Sequence, residues 1–399
     1  MGRDRLAANV PLFYVYYFLN SFILDRAIWM LFLVSRGFSL TEIALIESAY
    51  HLTGFLLEVP TGYVADRFGK RISLLTAQVI GALSSAMLIA GHGSVAVAGF
   101  MIGAAAGTFQ SGATSAMVYE TLKRLGREES FKRVNSQLSG IMLATLGLSG
   151  IAGGGLSDID WAWVYGGKIA LNLLTFGIVY LMVEPPEDQG LEGESAGARY
   201  SFWRQLGEGY AFARTSPAFL ALCTYGAVLY AMSWSIAFYS QVLFQQFGMN
   251  NRAIGVVNGV ETWLSAGIAA AAFLGERRLG KRGSIWTAGI GFSVCLLLFA
   301  TSDGPTAGIA AFLLMAVFIS YLEPLLEAYL NELLPTGIRA TMLSVFSMMI
   351  STGMMATFSV LGYLADRSDL ATALGHVMLV WGSLCLASLV WASRRLRKS

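Results

Sequence analysis

Apolar residues run along this chain in long blocks separated by short polar breaks, and most blocks have the length that crosses a bilayer. A spanning helix needs about 20 mostly apolar residues. The pattern predicts twelve, over 12–34, 40–64, 72–91, 95–118, 134–156, 162–183, 217–243, 252–274, 284–301, 306–332, 340–364 and 371–392. Two of the breaks repeat each other 211 positions apart, Asp66-Arg67-Phe68-Gly69-Lys70-Arg71 and Arg277-Arg278-Leu279-Gly280-Lys281-Arg282. The register extends back through Gly37 and Gly248 and through Ile43 and Ile254, as a duplicated bundle requires. The expected fold class is an all-α integral membrane protein of twelve transmembrane helices in two pseudo-symmetric six-helix halves.

One polar stretch is different. Glu184 to Ala198 is rich in Pro, Glu, Gly and Ser and reads as a linker. Phe202, Trp203, Leu206, Tyr210 and Ala213 then recur at helical spacing, as in a helix lying in the membrane interface. The expected domains are a bundle over 1–183, a cytoplasmic linker over 184–214 and a second bundle over 215–399.

Composition agrees, because 55% hydrophobic and 13% charged residues with a mean hydropathy of +0.60 are too apolar for a soluble domain. Of the 27 basic residues, only Arg36, Arg252 and Arg367 fall outside the N-terminal side of the membrane or a span, and only Arg26 and Lys168 fall within spans. The positive-inside rule then puts both termini in the cytoplasm, and the net charge of +2 reflects topology, with no nucleic-acid partner implied. The first apolar run exceeds a signal-peptide core and lacks a small-residue cleavage pattern, so it reads as a span. Cys223, Cys295 and Cys385 lie within spans without disulfide or zinc spacing, so no metal site is expected.

The loop after the second span carries the most specific signal. Gly62-Tyr63-Val64-Ala65-Asp66-Arg67-Phe68-Gly69-Lys70-Arg71, preceded by Glu58-Val59-Pro60-Thr61, resembles the signature loop of the major facilitator superfamily. Gly69 permits a tight reversal, and Asp66 can face the positive N-terminus of a neighbouring helix. The resemblance implies a gating role for Gly62, Asp66, Arg67, Gly69, Lys70 and Arg71, with Asp66 latching against the start of the eleventh helix near Arg339 to Thr341. The second copy has Arg277 in place of Asp66, so only the first half can form this acidic latch. Gly362-Tyr363-Leu364-Ala365-Asp366-Arg367 echoes the loop but ends an outward-running helix, and no gating role is assigned to it.

Charges inside spans are costly unless paired or wet, so they mark candidate chemistry. Glu47, His51 and Glu58 fall at helical angles of about 0°, 40° and 20° and form one stripe. Asp25 and Arg26 lie at a similar depth, roughly 12 Å at 1.5 Å per residue, so Arg26 is within reach to pair with Glu47 or Asp25. The 211 offset replaces these five by Ile236, Ala237, Asn258, Thr262 and Ala269. A buried carboxylate takes up a proton more readily and releases it more readily beside a cation, and histidine titrates nearest neutrality. Asp25, Arg26, Glu47, His51 and Glu58 are therefore the candidate proton-coupling residues, set against a reading in which they only hold the first two helices together.

The second half offers Glu323 and Glu327 beside Pro324, Asn258, Glu261 and Thr262 on span eight, and Tyr225, Tyr230, Trp234, Tyr239 and Gln241 on span seven. Aromatic walls with a few acids suit an amphipathic, cationic organic molecule, although Tyr and Trp also fill interfacial belts. Gln110, Lys168 and Asn172 are weaker candidates in the first half. The candidate substrate residues are thus Gln110, Asn172, Tyr225, Tyr230, Trp234, Asn258, Glu261, Thr262, Glu323 and Glu327.

Two departures bear on direction. Proton-coupled exporters of the resembled family carry an Arg ahead of a Gln-Gly pair in span four, where this chain has Gly107-Thr108-Phe109-Gln110-Ser111. They also carry a Gly-Pro pattern in span five, where Gly147, Gly150, Gly153, Gly154 and Gly155 occur without proline. Those glycines still permit close packing. The expectation is a monomeric secondary transporter in a bacterial-type inner membrane, exporting a small organic solute by rocking its halves, with a proton gradient and no cofactor. The alternative is a proton symporter importing a metabolite. An enzyme is disfavoured by the lack of nucleotide loops, metal-spaced ligands or nucleophile motifs.

Overall fold

The structure, a computed structural model, describes residues 3–186 and 211–395. Every described element is helical: α1 Arg3–Ala7, α2 Asn9–Asn20, α3 Trp29–Ser35, α4 Leu40–Phe68, α5 Lys70–Ala90, α6 Ser94–Gln110, α7 Ala113–Arg124, α8 Phe131–Ser157, α9 Trp161–Leu181, α10 Pro217–Gln246, α11 Asn251–Ala300, α12 Pro305–Leu333, α13 Arg339–Arg367 and α14 Leu370–Arg395. Nine helical stretches among the described residues are long and apolar enough to cross a membrane. Charged α4 and the divided first span are not among them, and α11 is two legs bent at Gly280, which is consistent with twelve crossings. Most of the expected linker and interfacial helix lies outside the described residues, except that 211–215 is helical.

Two spans expected to be continuous are broken. Span 12–34 becomes α2 and α3 with residues 21–28 unwound between them. Short turn bonds hold this segment, Arg26 N to Ile23 O at 3.1 Å and Ile28 N to Asp25 O at 2.9 Å. Ser149 Oγ donates to the freed Ile23 carbonyl at 3.2 Å, answering the need of exposed backbone for partners in an apolar medium. Span 95–118 breaks at Gly112, whose φ of +66° lies in the left-handed region that favours glycine. Ser111 at this break donates to Glu58 Oε1 at 2.8 Å.

The internal repeat is geometric as well as sequential. Gly69 and Gly280 both turn the chain at positive φ, +98° and +67°, and Gly37 and Gly248 do so at +87° and +80°. Ile43 and Ile254 are both fully buried. Lys70 pairs with Glu120 at 3.0 Å, and its counterpart Lys281 pairs with Glu332. The expected basic loops are therefore single-glycine reversals, with helix running up to and away from each glycine.

Backbone contacts gather the chain into two compact units, Met1–Glu187 with Met249–Trp263, and Asp188–Gly248 with Leu264–Ser399. In the first, α5 packs on α6 and α9 and α4 packs on α6, around a core that includes Phe13, Leu74, Met117, Leu122 and Leu138. Ser39 and Glu42 close a capping box at the start of α4. In the second unit, α10 packs on α12, α13 and α14. The three cysteines are buried and form no disulfide.

Candidate functional site

The unwound segment carries Asp25 and Arg26, and adjacent residues in it leave in different directions. Asp25, 6% exposed, takes Lys168 of α9, with Nζ 2.6 Å from Oδ2. Lys168 also lies 5.5 Å from the Tyr165 ring centroid. Glu47 takes His51 at 3.3 Å, one turn along α4. The pairing of Arg26 with Asp25 or Glu47 that the sequence allows gives way to these, because unwinding points Arg26 toward α11 instead. Its Nη1 donates to Thr262 Oγ1 at 3.4 Å, and the Glu261 carboxylate acts on it electrostatically. Tyr50 lies within electrostatic reach of both Asp25 and Glu47, whereas Glu58 bonds to Ser111 at the break between α6 and α7. The five candidate coupling residues thus fall into separate contacts, Asp25 with Lys168, Glu47 with His51, Arg26 with Thr262 and Glu58 with Ser111.

A glycine seam explains why α11 reaches Arg26. A Cβ at Gly154 would meet the Asn251 carbonyl, and Cβ atoms at Gly150 and Gly255 would each meet the other helix's backbone. Asp158, just beyond α8, accepts from the Asn251 and Arg252 amides at 3.0 and 3.1 Å, placing a negative charge on the positive end of α11. Gly153 likewise makes room for the Leu24 carbonyl of the unwound segment. Asn258, Glu261 and Thr262, read from sequence as part of a second-half solute surface, accordingly belong with the first unit. A pocket of about 10 Å³ beside Arg26, Asn258 and Thr262 has the volume of a single water.

Four carboxamides form another polar group in the first unit. Gln78 Nε2 donates to Asn20 Oδ1 at 3.1 Å, and Asn20 Nδ2 donates to Gln110 Oε1 at 2.9 Å. Asn172 Nδ2 donates to the Lys168 carbonyl at 2.8 Å. Gln110 and Asn172 were legible as candidates; Asn20 and Gln78 were not, because an isolated amide in an apolar span looks the same whether or not others converge on it.

The signature loop divides into buried and exposed parts. Lys70 is buried against Glu120, and the Arg71 side chain donates to the Val179 and Tyr180 carbonyls. The Glu184 carboxylate accepts from the Lys70 and Arg71 amides at 2.8 and 2.6 Å, satisfying the first donors of α5. Glu184, read as the start of the linker, is therefore an anchor, and the signal for it was an acid directly after an apolar span. Gly62 and Asp66 are exposed, and the Arg67 guanidinium lies 5.8 Å from the Tyr63 ring centroid.

In the second unit the expected aromatic wall is smaller than the sequence suggested. Tyr225 is fully buried and donates to the Ile285 carbonyl at 2.7 Å, and Tyr239 donates to the Phe358 carbonyl at 2.8 Å. Both tie helices together, and the contact of Tyr225, read from sequence as a solute residue, is this packing bond. The buried Tyr230 hydroxyl has no hydrogen-bond partner among the described residues and lies within electrostatic reach of Glu323 and Glu327. Trp234, one turn along α10, is 47% exposed. Glu323 and Glu327 are also exposed.

The profile of the Major Facilitator Superfamily matches residues 12–357. An uncharacterized MFS-type transporter of Bacillus subtilis (strain 168), YxaM, is 23% identical over 158 residues, which is 39% of this chain and 36% of that protein's length. Among solved structures, a bacterial homolog of the human lysosomal transporter Spinster, in an inward-facing and unoccupied conformation, aligns over 100% of this chain and 99% of its own at 14% identity with a TM-score of 0.74. A D-xylose-proton symporter aligns over 98% and 96% at 13% identity with a TM-score of 0.71. The nucleoside transporter NupG aligns over 100% and 99% at 14% identity with a TM-score of 0.70. At these identities the likeness is one of fold.

Proposed function

The chain belongs to the Major Facilitator Superfamily and is a multi-pass membrane transporter rather than an enzyme, and we propose that it couples solute movement to protons through Asp25 and Lys168. The observation that carries this reading is their 2.6 Å contact at an unwound point of a span. Broken spans gather ion and substrate sites in transporters, and an intramembrane acid paired to a base can exchange a proton when the pair opens. Glu47 and His51, linked to the same region through Tyr50, form a second proton-exchanging pair.

The solute in this reading is an amphipathic organic cation facing Tyr230, Trp234, Glu323 and Glu327. Aromatic faces and acids both favour a cation. Export in exchange for protons follows, from an inner membrane with both termini cytoplasmic and Asp66 serving as the cytoplasmic latch. The protein works as a monomer. A second reading, proton-driven import of an uncharged metabolite, is supported by the carboxamide group in the first unit.

Flux in proteoliposomes tests the coupling. An imposed pH gradient should drive movement of a cationic probe such as tetraphenylphosphonium in the wild type. Asp25→Asn should abolish gradient-driven flux while leaving exchange of labelled for unlabelled probe. Gradient-driven flux that survives in Asp25→Asn and in Glu47→Gln would remove the coupling assignment.

A further inference from the structure

Among α2, α5, α6 and α9 of the first unit lies a cavity of about 220 Å³, and we propose that it binds an uncharged polyhydroxylic solute of monosaccharide or polyol size. This goes beyond the cation reading, uses none of the four residues that face the cation in it, and supplies a substrate class for the import alternative on which it rests.

Size is the first constraint. The volume falls below the ~300–1,000 Å³ of drug-sized sites. The cavity suits a compact solute rather than a bulky amphiphile.

Charge is the second. The ionisable side chain lining the cavity is Lys168, already held by Asp25 at 2.6 Å. With no acid among the described lining residues there is nothing to neutralise a cation, and the Lys168 ammonium is largely compensated. An uncharged occupant is the remaining match.

Hydrogen-bonding capacity is the third and most specific constraint. Gln78, Asn20 and Gln110 are chained to one another, and Asn172 donates to the Lys168 carbonyl. After these bonds Gln78 Oε1 and Asn172 Oδ1 remain as acceptors and Gln110 Nε2 as a donor, with no partner among the described residues. A purely structural network inside an apolar bundle closes on itself, because each open polar atom costs free energy. This one leaves donors and acceptors together, and the hydroxyl group, which both donates and accepts, is their complement. An ammonium group offers only donors and a carboxylate only acceptors. Leu19, Phe22, Ile23 and Leu171 line the same cavity and supply apolar contact for the C–H face that sugars and cyclic polyols present.

Glycine keeps the space open. Gly107 lines the cavity, and a Cβ there would meet nothing within 4 Å. A larger side chain at 107 can therefore fill the site while improving the helix, since glycine is the poorest helix former apart from proline.

The test is calorimetric titration of the purified full chain at fixed pH with D-glucose, xylitol and myo-inositol, and separately with tetraphenylphosphonium. The wild type should bind at least one neutral probe. Gly107→Leu and Gln78→Leu should each weaken that binding tenfold or more, with Gly107→Leu melting no lower than wild type without probe. Should Gln78→Leu fail to fold, Gln110→Leu removes an amide from a different helix and should have the same effect. No binding of any neutral probe at millimolar concentration overturns the proposal, as does binding that both variants leave unchanged. Because no gradient is imposed, the result is independent of the coupling assignment, and binding of the cation alone overturns this site while leaving the cation reading standing.

Discussion

Lys168 and Asp25 meet at 2.6 Å across the point where the first span unwinds, so an ion pair inside the first unit coincides with a break in its helical backbone. Removing one partner of such a pair leaves an uncompensated charge, at about 3–5 kcal/mol, whereas removing both is far milder. Lys168→Met and Asp25→Asn should each lower the melting temperature sharply, and the double variant should recover much of the loss. A double-mutant cycle in melting experiments measures this, and additive single effects would mean the pair contributes little.

Gly153 and Gly177 both occupy helix interiors, yet alanine should act oppositely at the two. At 153 the added methyl meets the Leu24 carbonyl, and overpacking of this kind costs about 1–3 kcal/mol. At 177 it meets nothing within 4 Å, so the helix gains up to about 1 kcal/mol. Thermal melts of Gly153→Ala and Gly177→Ala should shift in opposite directions.

Glu184→Ala should release the amides of Lys70 and Arg71, whose acceptors are its carboxylate oxygens. The expected loss is about 0.5–2 kcal/mol, as for other caps. Hydrogen exchange should accelerate in the first turn of α5 and leave the α8 to α11 seam unchanged.

Tyr230→Phe should cost almost no stability, since its hydroxyl has no partner among the described residues. Tyr225→Phe and Tyr239→Phe should each cost about 0.5–1.5 kcal/mol for a lost bond to a backbone carbonyl. If Tyr230 meets the solute, Tyr230→Phe alone should weaken binding of the cationic probe.

Asp369 lies outside the spans and accepts from the Thr372 hydroxyl and amide, which hold its carboxyl below the ordinary aspartate value of 3.8. A lowered value contributes stability above the ordinary titration range and loses it as pH falls through the folded-state value. Asp369→Asn should thus be less stable than wild type near neutrality, with the gap closing in acid. A gap independent of pH would exclude this linkage.

Some of this was written in one dimension. Apolar blocks of bilayer length dictate spanning helices because backbone in hydrocarbon must bond within its own segment. The 211-residue echo is equally local: Gly69 and Gly280, like Gly37 and Gly248, are glycines because each turn uses positive φ. Charge inside a span at Asp25, Lys168 and Glu47 was visible for the same reason, as an exception to the apolar rule.

Partnership was not visible, because it depends on which helix faces cross. Arg26 was a plausible mate for Asp25 in a continuous helix, but unwinding over 21–28 gave Asp25 to Lys168 and turned Arg26 to Thr262. The glycines of span five announced close packing without naming Leu24 or Asn251 as what they admit. Tyr225 and Tyr230 look alike in the sequence, and only tertiary packing gives one a carbonyl and leaves the other's hydroxyl open. Sequence by itself determined the spans, the duplication and the unusual charges, since each follows from the cost of polar groups in lipid. Tertiary structure alone decided the ion pairs, the anchor at Glu184 and the carboxamide cavity, since each is a contact between side chains that the chain brings together from distant positions.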